Sequence, residues 1–433
     1  MSAATAVRMA WLDLLPARTT LRGGPIAVLD LGSSKLCCFI ARGRLDGSFV
    51  LRGRGYQAAE GFRTGEVIDA EAARRSIVAV LDEAEREAGE QLREVVLAVG
   101  CGEPRSTHLR VDRSLQGRAV GEEDIEALLE QAARRVAGSD RTVLHALPLE
   151  VSVDGGRPLK DPRGMRGARL DMLAHVVTVR ARPLADLLDC VQRCHVDVRG
   201  VISTTYAAAL ATLTEEEANR GCLVIDMGGG ATGVAFVFGG RLAFVDQVPY
   251  GGDNVTQDLA YGLHTSHAHA ERLKSLFGGV LTRYGDDDER ILVPQAGDPD
   301  HRPSLEVPRS RLTEIIRPRV EEILELVQDR LADAIDLFRA MQPRSVVLTG
   351  GGSQIEGLDE LAQGVFHLPV RCGRPSVVRS TRGVESEPCC AAVSGALALA
   401  RGDDGGVRWR ERQASAGLGH GLQRLGHWLR QNF

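Results

Sequence analysis

Two short stretches constrain this chain more than anything else in it: "AVLDLGSSK", ending at Lys35, and "LVIDMGGGATG", ending at Gly233. Each is an apolar run that stops at an aspartate and turns on glycine, and a second β-rich run follows. After Asp30 comes Gly32-Ser33-Ser34-Lys35, then "LCCFIAR" and "SFVLRGRGY". After Asp226 comes Gly228-Gly229-Gly230, then "GVAFVF" and "RLAFVDQV". Each unit reads as strand, acidic glycine hairpin, strand, turn, strand. Repetition of so specific a unit implies a duplicated α/β protein with two halves facing one cleft.

Two further glycine sites support a polyphosphate ligand. An apolar strand runs into Gly350-Gly351-Gly352, and Gly251-Gly252 opens a helical pattern in "VPYGGDNVTQDLAYGL". Phosphate oxygens need closely approaching backbone N–H donors, and glycine removes the Cβ that would block them. Ser33, Ser34, Lys35 and Thr232 could add side-chain donors. Asp30 and Asp226, at strand ends, are suited to a hydrated Mg²⁺, which takes few protein ligands. Any one of these turns alone is more often an ordinary hairpin. There is no GxxxxGK[ST], so the chain is not a P-loop NTPase, and no strand is followed by GxGxxG.

Composition narrows the functional classes. A net charge of −5 gives no global basic field for nucleic acid, and 4% aromatic content gives few stacking platforms. Nine cysteines include the neighbours Cys37–Cys38 and Cys389–Cys390 but no CxxC pair, which reads as reduced thiols rather than a zinc site. His264, His267 and His269 do not share one helix face and read as a polar segment rather than a metal site. No run approaches the ~18 apolar residues needed to cross a bilayer, and Asp13 and Pro16 interrupt any secretory apolar core.

These motifs resemble those of the actin–chaperone–sugar kinase ATPase superfamily: "LDLGSSK" its first phosphate loop, "IDMGGGATG" its second and "LTGGGSQIEGL" its adenosine loop. Within it, "VLHALPLEVSVDG", "AERLKSLFG", "VFHLPVR" and "RLGHWLRQNF" look like segments of the FtsA family, in the right order. The resemblance implies an actin-like fold with two RNase-H-like halves and an FtsA-type domain 1C in place of actin's 1B. The implied division is an extension at 1–24, domain 1A at 25–102, 182–205 and 375–400, and domain 1C at 103–181. Domain 2A would cover 206–248 and 319–374, domain 2B 249–318, a linker 401–416 and an amphipathic helix 417–433.

The resemblance also implies ATP and Mg²⁺ as ligands, with Glu271 and Lys274 on one helix face near the adenosine. It implies polymerisation on the cytoplasmic face of the inner membrane at the septum. The implied partners are FtsZ, further copies of the chain, anionic lipid and later division proteins. Relatives usually carry Thr and Asp where this chain has Ala231 and Gly233, so at most slow ATP hydrolysis is expected. A pilus-assembly relative or a sugar-kinase-type enzyme are the alternatives. No catalytic residue of a kinase can be placed.

The end of the chain is the last constraint. Leu418, Leu422, Leu425, Leu429 and Phe433 fall on one helical stripe, with Trp428 at its flank. Arg424 and Arg430, with His420 and His427, take the other face. Apolar burial plus basic attraction is the pattern of a helix lying in a lipid interface. At about 1 kcal/mol per basic residue near an anionic surface, one copy binds weakly, and polymerisation would multiply it.

Overall fold

The computed structural model describes residues 25–43, 49–296, 304–379, 383 and 386–400. The extension 1–24, the linker 401–416 and the amphipathic helix 417–433 lie outside the described residues, so the sequence readings of them stand as expectations.

The first half begins with β1 (Ile26–Leu31), β2 (Lys35–Gly43) and β3 (Phe49–Ala58), an antiparallel meander. A short pair, β4 (Phe62–Arg63) and β5 (Glu66–Val67), leads to α1 (Ala70–Ala88) and β6 (Glu94–Val99). Asp69 caps α1, its carboxylate accepting from the N–H groups of Glu71 and Ala72, and Gly89 closes the helix in the left-handed region. An insert follows: β7 (Arg105–Ser114), α2 (Glu122–Val136), β8 (Arg141–Val153) and β9 (Arg169–Arg180), in strand order β7-β9-β8. The half resumes with α3 (Ala181–Gln192), β10 (Asp197–Ser203) and α4 (Thr204–Thr212).

After α5 (Glu215–Arg220) the second half repeats the meander as β11 (Cys222–Met227), β12 (Thr232–Phe238) and β13 (Arg241–Val248). An outer lobe holds α6 (Gly252–Gly262), α7 (His267–Phe277) and the antiparallel pair β14 (Arg290–Val293) and β15 (Leu305–Pro308). The chain continues through α8 (Arg309–Ala332), α9 (Ile335–Ala340), β16 (Ser345–Thr349), α10 (Leu358–Phe366) and β17 (Val370–Cys372). It then returns to the first sheet as β18 (Val378–Arg379) and ends on α11 (Ala391–Ala400).

The two sheets run β10-β6-β1-β2-β3-β18 and β13-β12-β11-β16-β17, so each aspartate-bearing strand sits inside its sheet. Apolar runs such as Val28–Leu29 and Val224–Ile225 are buried on both faces, as strands covered on both sides must be. Between the sheets, α11 crosses α4 at Gly395, where a Cβ would come within 1.8 Å of Ala207 O. Only glycine allows that separation, and the small residues of "AAVSGALALA" flank it.

The helical periodicity after Ser310 resolves into α8 and α9, and Pro318 lies in the interior of α8. Pro318 is exposed, so the missing N–H falls on the solvent side, while Ile316, Val320, Ile323, Leu324 and Val327 keep the apolar stripe in the core.

Candidate nucleotide cleft

The hairpins after β1 and β11 face each other. A Cβ on Gly229 would lie 2.5 Å from Ser34 Oγ, and one on Gly230 would lie 2.7 Å from Ser33 Oγ. The first hairpin is held by its side chains. Ser33 Oγ accepts from Gly65 N–H at 2.8 Å, and Lys35 Nζ donates to Cys389 O at 3.1 Å beside the Tyr56 ring. A Cβ on Gly32 would lie 2.6 Å from Lys35 O, so the tightness of this turn selects glycine.

The second hairpin is held by backbone. Gly228 N–H donates to Ala231 O, while Gly252 N–H and Asp253 N–H donate to Gly228 O and Gly229 O. Gly251 stacks on it so closely that a Cβ would meet both carbonyls at 2.5 Å. The start of α6 is thereby fixed against the loop, its N-terminal dipole beside the glycines. Lys274 Nζ completes the arrangement, donating to Gly252 O at 3.0 Å, Thr256 Oγ1 at 2.8 Å and Glu271 Oε2 at 2.7 Å. Glu271 and Lys274 are therefore more than a solvated pair: Lys274 is largely buried and pins the helix that carries Gly251-Gly252. Thr256 is the member of this group that the sequence does not single out, because nothing in its spacing sets it apart.

Asp30 and Asp226 are the unusual groups. Asp30 is 9% exposed and Asp226 half-buried, yet neither carboxylate has a hydrogen bond or ion pair among the described residues. Burial pushes the Asp30 carboxyl up to about 7, against a downward pull from Lys35. Burial, with the Asp30 charge adding to it, takes Asp226 up to about 7 as well. Buried polar groups in folded proteins are almost always satisfied, so one buried and one half-buried carboxylate, neither with a partner among the described residues, point to a cation or its waters. A divalent metal fits this donor set: two acids, no histidine or thiol among the unpartnered groups, and glycine N–H groups alongside for an anion.

The third glycine site backs onto this point. Gly350 has φ +82°, and a Cβ there would lie 2.5 Å from Asp226 Oδ1. Gly351 is exposed, and a Cβ there would meet nothing nearer than Cys389 Cβ at 3.8 Å, which leaves its face open. Gly352 instead packs on Met227, so its small size serves the fold. Thr232 also differs from expectation: it is fully buried, and its hydroxyl donates to Tyr250 O at 2.8 Å. Its role here is to close the β12 start onto the turn before α6. Among the described residues no histidine, cysteine or acidic cluster could hold a metal by three ligands, His264, His267 and His269 included.

The architecture of two meanders around paired glycine hairpins invites comparison with known proteins. Residues 223–395 match the family described as cell division protein FtsA, and residues 101–178 match the SHS2 domain inserted in FtsA. The FtsA of Agrobacterium fabrum is 35% identical over 437 aligned residues, covering 98% of this chain and 98% of its own. This chain belongs to the FtsA family of cell division proteins.

Solved structures agree on the fold. A PilM–PilN type IV pilus biogenesis complex matches with TM-score 0.61 at 19% identity, covering 88% of this chain and 98% of its own. MreB5 of Spiroplasma citri, solved with ADP, matches with TM-score 0.51 at 15% identity, covering 88% of this chain and 97% of its own. The FtsA-family chain thus has the actin-like ATPase fold, with the SHS2 insert occupying β7 to β9. Among the described residues no helix is long and apolar enough to cross a membrane.

The insert is seated on the edge strand β13 by polar contacts. His108 Nε2 meets Ala243 O at 2.6 Å and His175 Nδ1 meets Leu242 O at 2.9 Å. Ser106 Oγ bridges Val245 N–H, Val245 O and His175 Nε2. His145 Nε2 accepts from Ser203 N–H at 3.0 Å. Burial depresses all three rings, His145 to about 4 and His175 to about 3, so the seat is built from neutral histidines.

Proposed function

We propose that this FtsA-family chain binds ATP with Mg²⁺ between the two hairpins, assembles into actin-like polymers, and ties the FtsZ ring to the cytoplasmic membrane through its terminal amphipathic helix. The observation that carries the nucleotide reading is the pair of carboxylates without a partner among the described residues, buried Asp30 and half-buried Asp226, beside the contacting glycine turns. Metal would be held by those two aspartates through water, and phosphate oxygens by the N–H groups of the hairpins and by Ser34. The open face of Gly351, with Lys274 and Glu271 near the start of α6, suits the adenosine end. A bound Mg²⁺ would neutralise phosphate charge. The chain's own part is to position the phosphates and shut out bulk water, as an assembly switch requires more than turnover does. Family membership supports contacts with further copies, FtsZ and later division proteins, and the stripe Leu418, Leu422, Leu425, Leu429 and Phe433 with Trp428 supports lipid attachment.

The test is co-sedimentation with anionic liposomes, with and without ATP and Mg²⁺. Wild type should pellet with liposomes, and more so with nucleotide. A Trp428→Glu/Leu429→Glu variant should stay in the supernatant, and Asp226→Asn should lose the response to nucleotide alone. Equal pelleting of all three would refute both the anchor and the nucleotide coupling.

A further inference from the structure

The second hairpin lacks an acid at Gly233, and the structure shows what occupies that place. Gly233 pairs with Asp226 across β11–β12 and with Gln247 across β12–β13. Residues in register on neighbouring antiparallel strands project to the same face, so positions 226, 233 and 247 form one row. A Cβ on Gly233 would come within 2.0 Å of Thr205 Oγ1. The Thr205 hydroxyl, delivered from the first turn of α4, therefore lies where a side chain at 233 would start.

Gln247 is brought in from the other side. A Cβ on Gly100, just past β6, would be 3.1 Å from Thr204 Oγ1 and 3.8 Å from Gln247 Oε1. The far end of the row thus meets the ends of β6 and β10 in the first half. Thr205 is 2% exposed and Gln247 is 9% exposed. No hydrogen bond among the described residues engages the side-chain polar atoms of either one. Neither oxygen is sealed off, because the one fully enclosed side-chain polar atom without a partner among the described residues is Ser394 Oγ. Two buried, unpartnered polar groups in line with an unpartnered aspartate are a site for ordered water.

The geometry points to Thr205 and Gln247 as positioning residues that hold the outer-sphere water of a metal bound at Asp226 and Asp30. They take over from α4 and β13 what an acid at 233 would otherwise do. The inference rests on the proposed binding of ATP and Mg²⁺ in this cleft. Both side chains have the right chemistry, since a hydroxyl and an amide each donate to and accept from water without adding charge. Groups placed in this way govern metal affinity without touching the metal. The same row explains why Gly233 cannot simply be replaced. Any Cβ there displaces the Thr205 hydroxyl.

The experiment measures two affinities on the full chain: ATP by calorimetry in EDTA, and Mn²⁺ by paramagnetic resonance on the ATP-loaded protein. Wild type should bind ATP in EDTA and then take up Mn²⁺. Failure to bind ATP both in EDTA and with Mg²⁺ present, or failure to take up Mn²⁺, overturns the nucleotide reading itself, separately from this inference. Thr205→Val and Gln247→Leu should keep ATP affinity in EDTA within about twofold, while Mn²⁺ affinity falls by roughly 10–100-fold. Thr205→Ser should restore it, and Gly233→Ala should reproduce the Thr205→Val loss. Unchanged Mn²⁺ affinity in Thr205→Val and Gln247→Leu overturns the proposal. So does an equal loss of ATP affinity with and without metal, which would mark the two residues as supports of the fold.

Discussion

The two aspartate hairpins occupy the same place in two copies of one meander, yet they are built from different materials. The first is made of side chains: Ser33 on Gly65, Lys35 on Cys389 O and over Tyr56. The second is made almost wholly of backbone, three glycines locked to the start of α6 by carbonyls that a single Cβ on Gly251 would strike. The difference shows how a duplicated unit divides its labour. The topology fixes where a carboxylate and a turn must stand. Whether donors come from residues or from peptide groups is then free to diverge, because a phosphate accepts either.

That contrast can be attacked at its shared point first. Asp30→Asn and Asp226→Asn should each weaken metal-dependent ATP binding by about 100-fold or more, since each removes one of two anionic metal contacts. Without ligand the same variants should be more stable by about 1–3 kcal/mol at pH 8, because a buried, unpaired charge is gone. Calorimetric melting should rise by roughly 1–3 °C. A large loss for one aspartate and none for the other would break the symmetry of the pair.

Next comes the material itself. Gly251→Ala should cost about 2–3 kcal/mol of folding stability in denaturant titrations, because two carbonyls must move. Lys35→Ala should change folding by less than that and weaken ATP binding about tenfold by loss of a charged donor. Ser34→Ala should lower affinity by about threefold or less. If Ser34→Ala proved as damaging as Gly251→Ala, the division between side-chain and backbone hairpins would be wrong.

The smallest effects are in pH, and their signs oppose. Asp30 and Asp226 stand near 7, above their ordinary value of 3.8, so the metal-free fold is favoured at low pH and loses that advantage as pH rises through 7. Mg²⁺ must displace those protons, so its affinity should climb from pH 5 to about 7.5 and then level off. His145 and His175 stand near 4 and 3, below the ordinary 6.5. Their contribution is complete above 6.5 and is lost as pH falls toward 4, because the unfolded rings bind protons first. Hydrogen exchange along β13 should therefore speed up below pH 5 while exchange in α1 does not.

Much of this was legible in the sequence because it is local. A strand, an aspartate and a glycine turn are written in consecutive residues. The insert entered only through the family resemblance. What stayed hidden depends on register and on three-dimensional packing. Thr232 looks like a phosphate donor until β12 turns its hydroxyl toward Tyr250. Gly352 looks like a third cradle glycine until Met227 is found against it. Thr205 and Gln247 belong to no motif, and their meeting at Gly233 follows only from the pairing of three strands with a helix from the other half. The histidine seat of the insert is equally silent, since His108, His145 and His175 are far apart in the chain, and only the fold brings the first and last to β13 and His145 to Ser203.

One small turn carries a mechanical consequence. In Pro388–Cys390, Pro388 O accepts from Gly350 N–H of the second half, and the next carbonyl, Cys389 O, accepts from Lys35 of the first. Adjacent peptide groups thus grip both jaws at the base of the cleft, and a few residues later Gly395 sets the closest approach of α11 to α4. Points near an axle travel least. Any rotation of one half against the other is therefore taken up away from this turn, so the hairpin tips at Ser34 and Gly229 describe the wider arc. A ligand bridging those tips works at the long end of the lever, where little binding force is needed to hold the angle between the halves.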